Sequence, residues 1–136
     1  MKTIELDEAR IPEILEAIPP GQPIVMLNLL KFNRITNYPE GTANIDCSGQ
    51  EAYSERYLKH AVKKIDGIGG SVIYDGEVCV EVIGENHDNW HRIIIVKYPS
   101  IAEFMGMVST TEYQAIRIHR AAALDDSRLL ATVENA

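Results

Sequence analysis

The sequence predicts an α+β protein whose elements run strand, helix, strand, strand, helix, strand behind a short N-terminal helix. Three observations carry that expectation. Residues 24–32 (IVMLNLLKF) and the run Ile93, Ile94, Ile95, Val96 within residues 91–98 are apolar with little polar interruption, which suits strands covered on both faces. Pro99 has no N–H to give a ladder, and Ser100 followed by Glu103 makes a capping-box pattern, so the second of these strands passes straight into a helix. Residues 50–65 place Leu58, Ala61, Val62 and Ile65 on one stripe, and Gly67, Gly69 and Gly70 then stop the helix.

The other elements follow in chain order. Asp7 is a candidate cap for a helix in which Ile11, Ile14, Leu15 and Ile18 recur at helical spacing. Pro12 fits only its first turn, which puts the body at residues 12–18, and Pro19, Pro20, Gly21 and Pro23 end it. Residues 34–49 read as a long loop, either a lid or a plain surface connector. Residues 71–83 alternate as a long strand or a tight hairpin, with Gly76 as a bulge or turn, and 85–89 form a polar turn. A helix over 111–124 and a closing strand over 128–133 complete the chain. The order is the ferredoxin-like βαββαβ pattern, with both helices on one face of a four-stranded antiparallel sheet. The expectation is one domain over residues 1–136, with a core at about 23–134 and a helical extension at 7–20. The first and third strands lack a polar second face, so a second copy of the chain is expected to cover it, giving a homodimer through the sheet face.

Composition narrows the partners. The hydrophobic fraction of 46% and charged fraction of 24% are ordinary for a globular protein, and the net charge of −7 is spread along the chain. That sign argues against a nucleic-acid backbone or an anionic membrane as a partner. No apolar stretch approaches the length of a membrane span, and no leader pattern opens the chain, so the expected address is cytoplasmic. Cys47 and Cys79 make neither a disulfide framework nor a zinc motif.

Several residues are candidates for chemistry. Tyr53, Tyr57 and His60 stand at i, i+4 and i+7 of the 50–65 helix, within about 60° of one another at the margin of its stripe. Such a row either lines a cleft over the sheet, with His60 as acid or base, or covers the core edge with its polar tips in water. Asn28, set among Leu27, Leu29 and Leu30, needs a partner, which a ligand, the dimer interface or the fold itself could supply. Tyr113, Arg117, Arg120 and Leu124 form a second helical row flanked by Ile116 and Ala123. An arginine on an inward face requires an internal carboxylate, such as Asp75 or Glu112, or a ligand oxygen held with His119 or Tyr57 nearby. His60 and Arg120 are therefore the catalytic candidates; Asn28, Tyr53, Tyr57, Trp90, Tyr98, Arg117 and His119 are the substrate-binding ones. His87 and His91 share a His-x₃-His spacing, but it converges only on a helix and this segment reads as turn then strand, so no metal is expected. No G-x-S-x-G, P-loop or G-x-G-x-x-G pattern occurs, and no cofactor is expected.

PIVMLNLLKF at 23–32, SGQEAYSERYLKHA at 48–61, GGSVIYDG at 69–76, WHRIIIVKYPS at 90–100 and EYQAIRIHRAAALDDSRLLAT at 112–132 occur together in this order. In combination they resemble a domain-of-unknown-function family in the dimeric α/β-barrel superfamily, in its longer branch with a helix before the first strand. The resemblance implies the fold and the dimer. The wider superfamily includes cofactor-free monooxygenases, polyketide cyclases, lactone isomerases, haem-degrading enzymes and amino-acid-sensing domains. Two functions follow as expectations. One is a cofactor-independent enzyme, monooxygenase-, isomerase- or cyclase-like, acting on a planar aromatic or ketonic small molecule between helices and sheet. The other is a non-catalytic dimeric ligand-binding, sensor or stress-related module.

Overall fold

β1 (Ile24–Phe32) and β3 (Arg92–Tyr98) pair antiparallel at the centre of the sheet, with Ile24 opposite Tyr98 and Leu30 opposite Arg92. β2 (Ser71–Glu77) flanks β3 and β4 (Leu124–Thr132) flanks β1, giving the antiparallel order β2-β3-β1-β4. This computed structural model describes residues 2–136. The two apolar runs have faces of different fate. Ile24, Met26, Leu30, Ile94, Val96 and Tyr98 are buried beneath the helices. Val25, Leu27, Leu29, Ile93 and Ile95 alternate onto the opposite face and stay partly exposed.

Local chemistry sets the helix ends. The Asp7 side chain accepts from the Ala9 N–H and starts a 3₁₀ turn, Glu8–Arg10, which leads into α1 (Ile11–Ala17) with proline in its first turn. Ser48 Oγ accepts from the Glu51 N–H at 3.1 Å and opens α2 (Gly49–Glu51). The same helix continues as a π-helical segment, Ala52–Leu58, and then as α3 (Lys59–Gly67). Its buried residues Tyr53, Tyr57, Ala61 and Ile65 are four apart. In an α-helix each four-residue step drifts by about 40°, so such a stripe would wind away from the sheet. The wider π turns keep it aligned. Gly69, at φ 81, and the Gly70 N–H bonded to Ile65 O close this helix. α4 (Ile101–Val108) is capped by Ser100 and α5 (Thr111–Ala123) by Thr110, and α5 runs into β4 without a loop.

Two expectations need correction. β2 ends at Glu77: the Val78 N–H still donates to His91 O, but residues 78–90 form no strand, and Val82 and Ile83 are 89% and 95% exposed. Gly76 lies inside β2 under the Tyr74 ring, and the register shift falls between Val72 and Tyr74. β4 starts at Leu124, four positions before residue 128, because its polar first half holds the start of the chain. The Thr3 N–H donates to Asp126 Oδ1 at 2.7 Å, and Ser127 donates to Thr3 O from both N and Oγ at 2.8 Å. Residues 2–5 thus form a strap along β4 and α5.

Burial pushes the Asp126 carboxyl up, but the N–H groups of Thr3 and Ser127 and the Arg128 guanidinium outweigh it and hold it below its ordinary 3.8. A depressed folded value means that this contribution to stability is present above the unfolded value and is lost as pH falls through the folded one. The Thr3 and Ser127 amide signals are therefore expected to move as pH falls below the ordinary carboxylate value, and Asp126→Asn to abolish that transition. An unchanged transition in the variant would assign it to another group.

Candidate functional site

Between the helices and the sheet lies a cluster of tyrosines around one arginine. The π-helical segment supplies Tyr53 and Tyr57, whose ring centroids are 5.1 Å apart. The first turn of α5 supplies Tyr113, which meets Tyr57 edge-on, the two hydroxyls 2.8 Å apart. Tyr98, at the end of β3, is buried against Phe104 with centroids 5.0 Å apart. Arg120 reaches in from α5. Its Nη1 donates to the Ile4 carbonyl of the strap at 2.5 Å, and the guanidinium lies within electrostatic reach of Tyr53, Tyr57 and Tyr113. As a whole residue Arg120 is half-buried, but its charged end is enclosed.

The electrostatics make this cluster a set of donors. Burial pushes Tyr53 up to about 12 although Arg120 and Arg92 pull the other way. Burial likewise raises Tyr57 well above its ordinary value, with Tyr113 and Tyr53 adding to the effect, and it raises Tyr98. Burial works against the charge on Arg120, but Tyr57, Tyr53 and Tyr113 more than compensate, and its pKa is raised. Near neutral pH the cluster therefore offers a guanidinium and protonated hydroxyls.

The carboxylate expected beside Arg120 is elsewhere. Asp75 binds Arg92 with both oxygens, at 2.8 and 2.6 Å, and Arg92 also donates to Ser54 Oγ at 2.9 Å while lying 5.8 Å from the Tyr53 ring. Glu112 is exposed. Among the described residues Arg120 has no ion-pair partner.

Of the residues singled out in the sequence, Tyr53, Tyr57, Tyr98 and Arg120 come together and the others do not. His60 is exposed: the π segment keeps the two tyrosines inward and turns His60 out, so the three-residue row is corrected to two. His119 belongs to an outer cluster, with Nδ1 2.7 Å from the Tyr38 hydroxyl, which in turn accepts from Arg56 at 3.0 Å. Burial, then Arg56 and His60, lower the His119 pKa. Arg117 is exposed and pairs with Glu5 of the strap at 3.7 Å. The Asn28 amide donates to Ile94 O at 3.1 Å within its own sheet. Trp90 sits between Lys31, 5.2 Å away, and Arg128, 5.3 Å away, on the open side of the sheet. His87 pairs with Glu85, and among the described residues no three metal-ligating side chains converge.

Tyr113 is the cluster member not put forward as a site residue. Its signal was its place seven residues before Arg120 on the inward row of α5. The Arg92–Asp75 pair gave no local signal, because only the β2–β3 register brings the two together.

A four-stranded antiparallel sheet with this strand order and helices on one face defines the ferredoxin-like α+β class. The chain belongs to the DUF1330 family, a domain of unknown function that matches residues 42–134. It is similar to the RPA0582 protein, of unknown function, from Rhodopseudomonas palustris. One structure of that protein, in methylated form, is 29% identical, with a TM-score of 0.88 over 99% of this chain and 96% of that one. Another is 27% identical, with a TM-score of 0.87 over 100% and 99%. A hydroxynitrile lyase from Passiflora edulis shares the fold at 9% identity, with a TM-score of 0.54 over 85% of this chain and 96% of that one. No curated protein matches the chain. Among the described residues no helix is long and apolar enough to cross a membrane.

Proposed function

We propose that the protein binds a small planar molecule, aromatic or ketonic, by holding an anionic or enolisable oxygen at Arg120, and does so as a homodimer joined through the open sheet face. The observation that carries the reading is an enclosed guanidinium with no carboxylate partner among the described residues, set among protonated tyrosines and completed by a backbone carbonyl. A planar guanidinium gives two parallel charge-assisted bonds to a carboxylate or enolate. The ligand oxygen takes the place of the Ile4 carbonyl, and the tyrosine hydroxyls donate beside it. A donor set of this kind fits a binding module, and equally an isomerase- or cyclase-type enzyme that stabilises an enolate without a cofactor. The acid–base role expected of His60 passes in this reading to the Tyr57–Tyr113 hydroxyl pair.

The dimer rests on the uncovered face. Leu27 lies opposite Ile95 on one side and Leu130, 48% exposed, on the other; Leu29 lies opposite Ile93. A central apolar row of this kind is expected to be covered, and a second copy offers the same row. Titration with aromatic carboxylates and cyclic 1,3-diketones, followed through tyrosine absorbance and the amide signals of Ile4 and Arg120, tests the binding site.

A further inference from the structure

We propose that the end of the sheet carries a second, separate binding site, for a small amphoteric molecule of the amino-acid type. A cleft of about 480 Å³ opens where β1 and β2 end and β3 begins, against the start of the long helix. That volume is in the range of small-molecule sites. None of Tyr53, Tyr57, Tyr113 or Arg120 lines it, and Phe32, whose ring meets that of Tyr53 at a 59° tilt with centroids 5.5 Å apart, is the wall between the two.

The lining combines opposite charges that do not satisfy each other. Arg34 has no ion pair or hydrogen bond to its side chain among the described residues. Glu77 stands opposite Arg92 in the β2–β3 register, but that guanidinium is occupied by both oxygens of Asp75 and by Ser54. Among the described residues the Glu77 carboxylate therefore makes no hydrogen bond or ion pair of its own at the cleft and feels Arg92 only at longer range. His91 is the third polar group, and its tautomer is fixed: Nδ1 accepts the Phe32 N–H at 3.0 Å, which leaves Nε2 as the donating nitrogen. Of the other polar lining groups, Gln50 adds an exposed side-chain amide, while Asn33 and Ser48 are spent on the fold. The Asn33 amide donates to the Ala122 and Leu124 carbonyls, and Ser48 Oγ caps the helix. Phe32 and Val78 form the apolar part of the wall.

A simple anion would be drawn to Arg34 and His91 but repelled by Glu77, and a simple cation would meet the reverse. A molecule bearing both a carboxylate and an ammonium group answers both, with its apolar side chain on Phe32 and Val78. The cleft is open to solvent, so each charge contributes modestly and the binding shows itself as discrimination rather than high affinity.

The test is a titration of the isotope-labelled full chain with phenylalanine, phenylpropionate, which lacks the ammonium group, and phenylethylamine, which lacks the carboxylate. The readout is the amide signals of Phe32, Gln50 and His91. Phenylalanine is expected to bind about fivefold or more tighter than either analogue. Glu77→Gln should erase the preference over phenylpropionate, and Arg34→Gln the preference over phenylethylamine; both positions are exposed, so the fold is retained. Absence of shifts with phenylalanine, equal binding of either analogue, or variants that keep both preferences would overturn the proposal.

Discussion

Gly49→Ala is expected to destabilise the protein by about 3 kcal/mol or more, the upper end for overpacking, and to lower Tm by about 10 °C or more. The position lies where three segments meet: the exit of β1, the start of the long helix and the junction of α5 with β4. A Cβ there would stand 2.3 Å from Asn33 O, 2.5 Å from Ala123 O and 2.9 Å from Asn33 N. These are all backbone atoms, so no rotamer change relieves the clash. The Gly49 N–H also donates to Asn33 O at 3.0 Å, and the Asn33 N–H to Ala123 O at 2.8 Å, so moving one segment breaks bonds to the next. Gly106→Ala is the control, since nothing lies within 4 Å of its added methyl. A Gly49→Ala protein that melts with the wild type would show that this junction is looser than described.

Leu27→Asp is expected to convert a dimer into a monomer that keeps its fold. Leu27 sits in the middle strand pair on the open face, is only partly buried in the single chain, and faces away from the helices. A carboxylate there is tolerated in a monomer. In a two-fold interface it would be buried without a partner twice over, at about 3–5 kcal/mol for each copy. Light scattering of both proteins at micromolar concentration separates the outcomes. A wild type that is monomeric, or a variant that remains dimeric, would remove the sheet face as the interface.

The fold was legible because its strongest signals are local. The 24–32 and 93–96 runs name the two central strands, and Ser100 with Pro99 fixes the turn into α4. The limits of that legibility have physical causes. Asp125, Asp126 and Ser127 look like a polar link between helix and strand, but they are strand residues whose side chains and N–H groups are used by the strap at the far end of the sequence. Residues 78–83 alternate like a strand, yet β3 begins only at Arg92, with the last cross-strand bond at Val78. His60 was assigned by a 3.6-residue wheel to a helix whose buried stripe repeats every four. Arg120 could be placed inside from its row on α5. The absence of a carboxylate beside it depended on Asp75 pairing with Arg92, which no spacing in the sequence encodes.

The most direct measurement is the affinity of wild type and Arg120→Met for aromatic carboxylates and cyclic 1,3-diketones, taken with a melting curve for each protein. Among the described residues, removing the guanidinium leaves the Ile4 carbonyl with only the Ser127 hydroxyl, at 3.5 Å, as a side-chain donor, so the stability loss should stay within about 1–3 kcal/mol. Binding, in contrast, should weaken by about a hundredfold or more, as when one partner of a buried charge pair is truncated. The proposed oxygen site at Arg120 predicts a folded variant that no longer binds. It is contradicted if no such compound binds the wild type, or if Arg120→Met binds equally well.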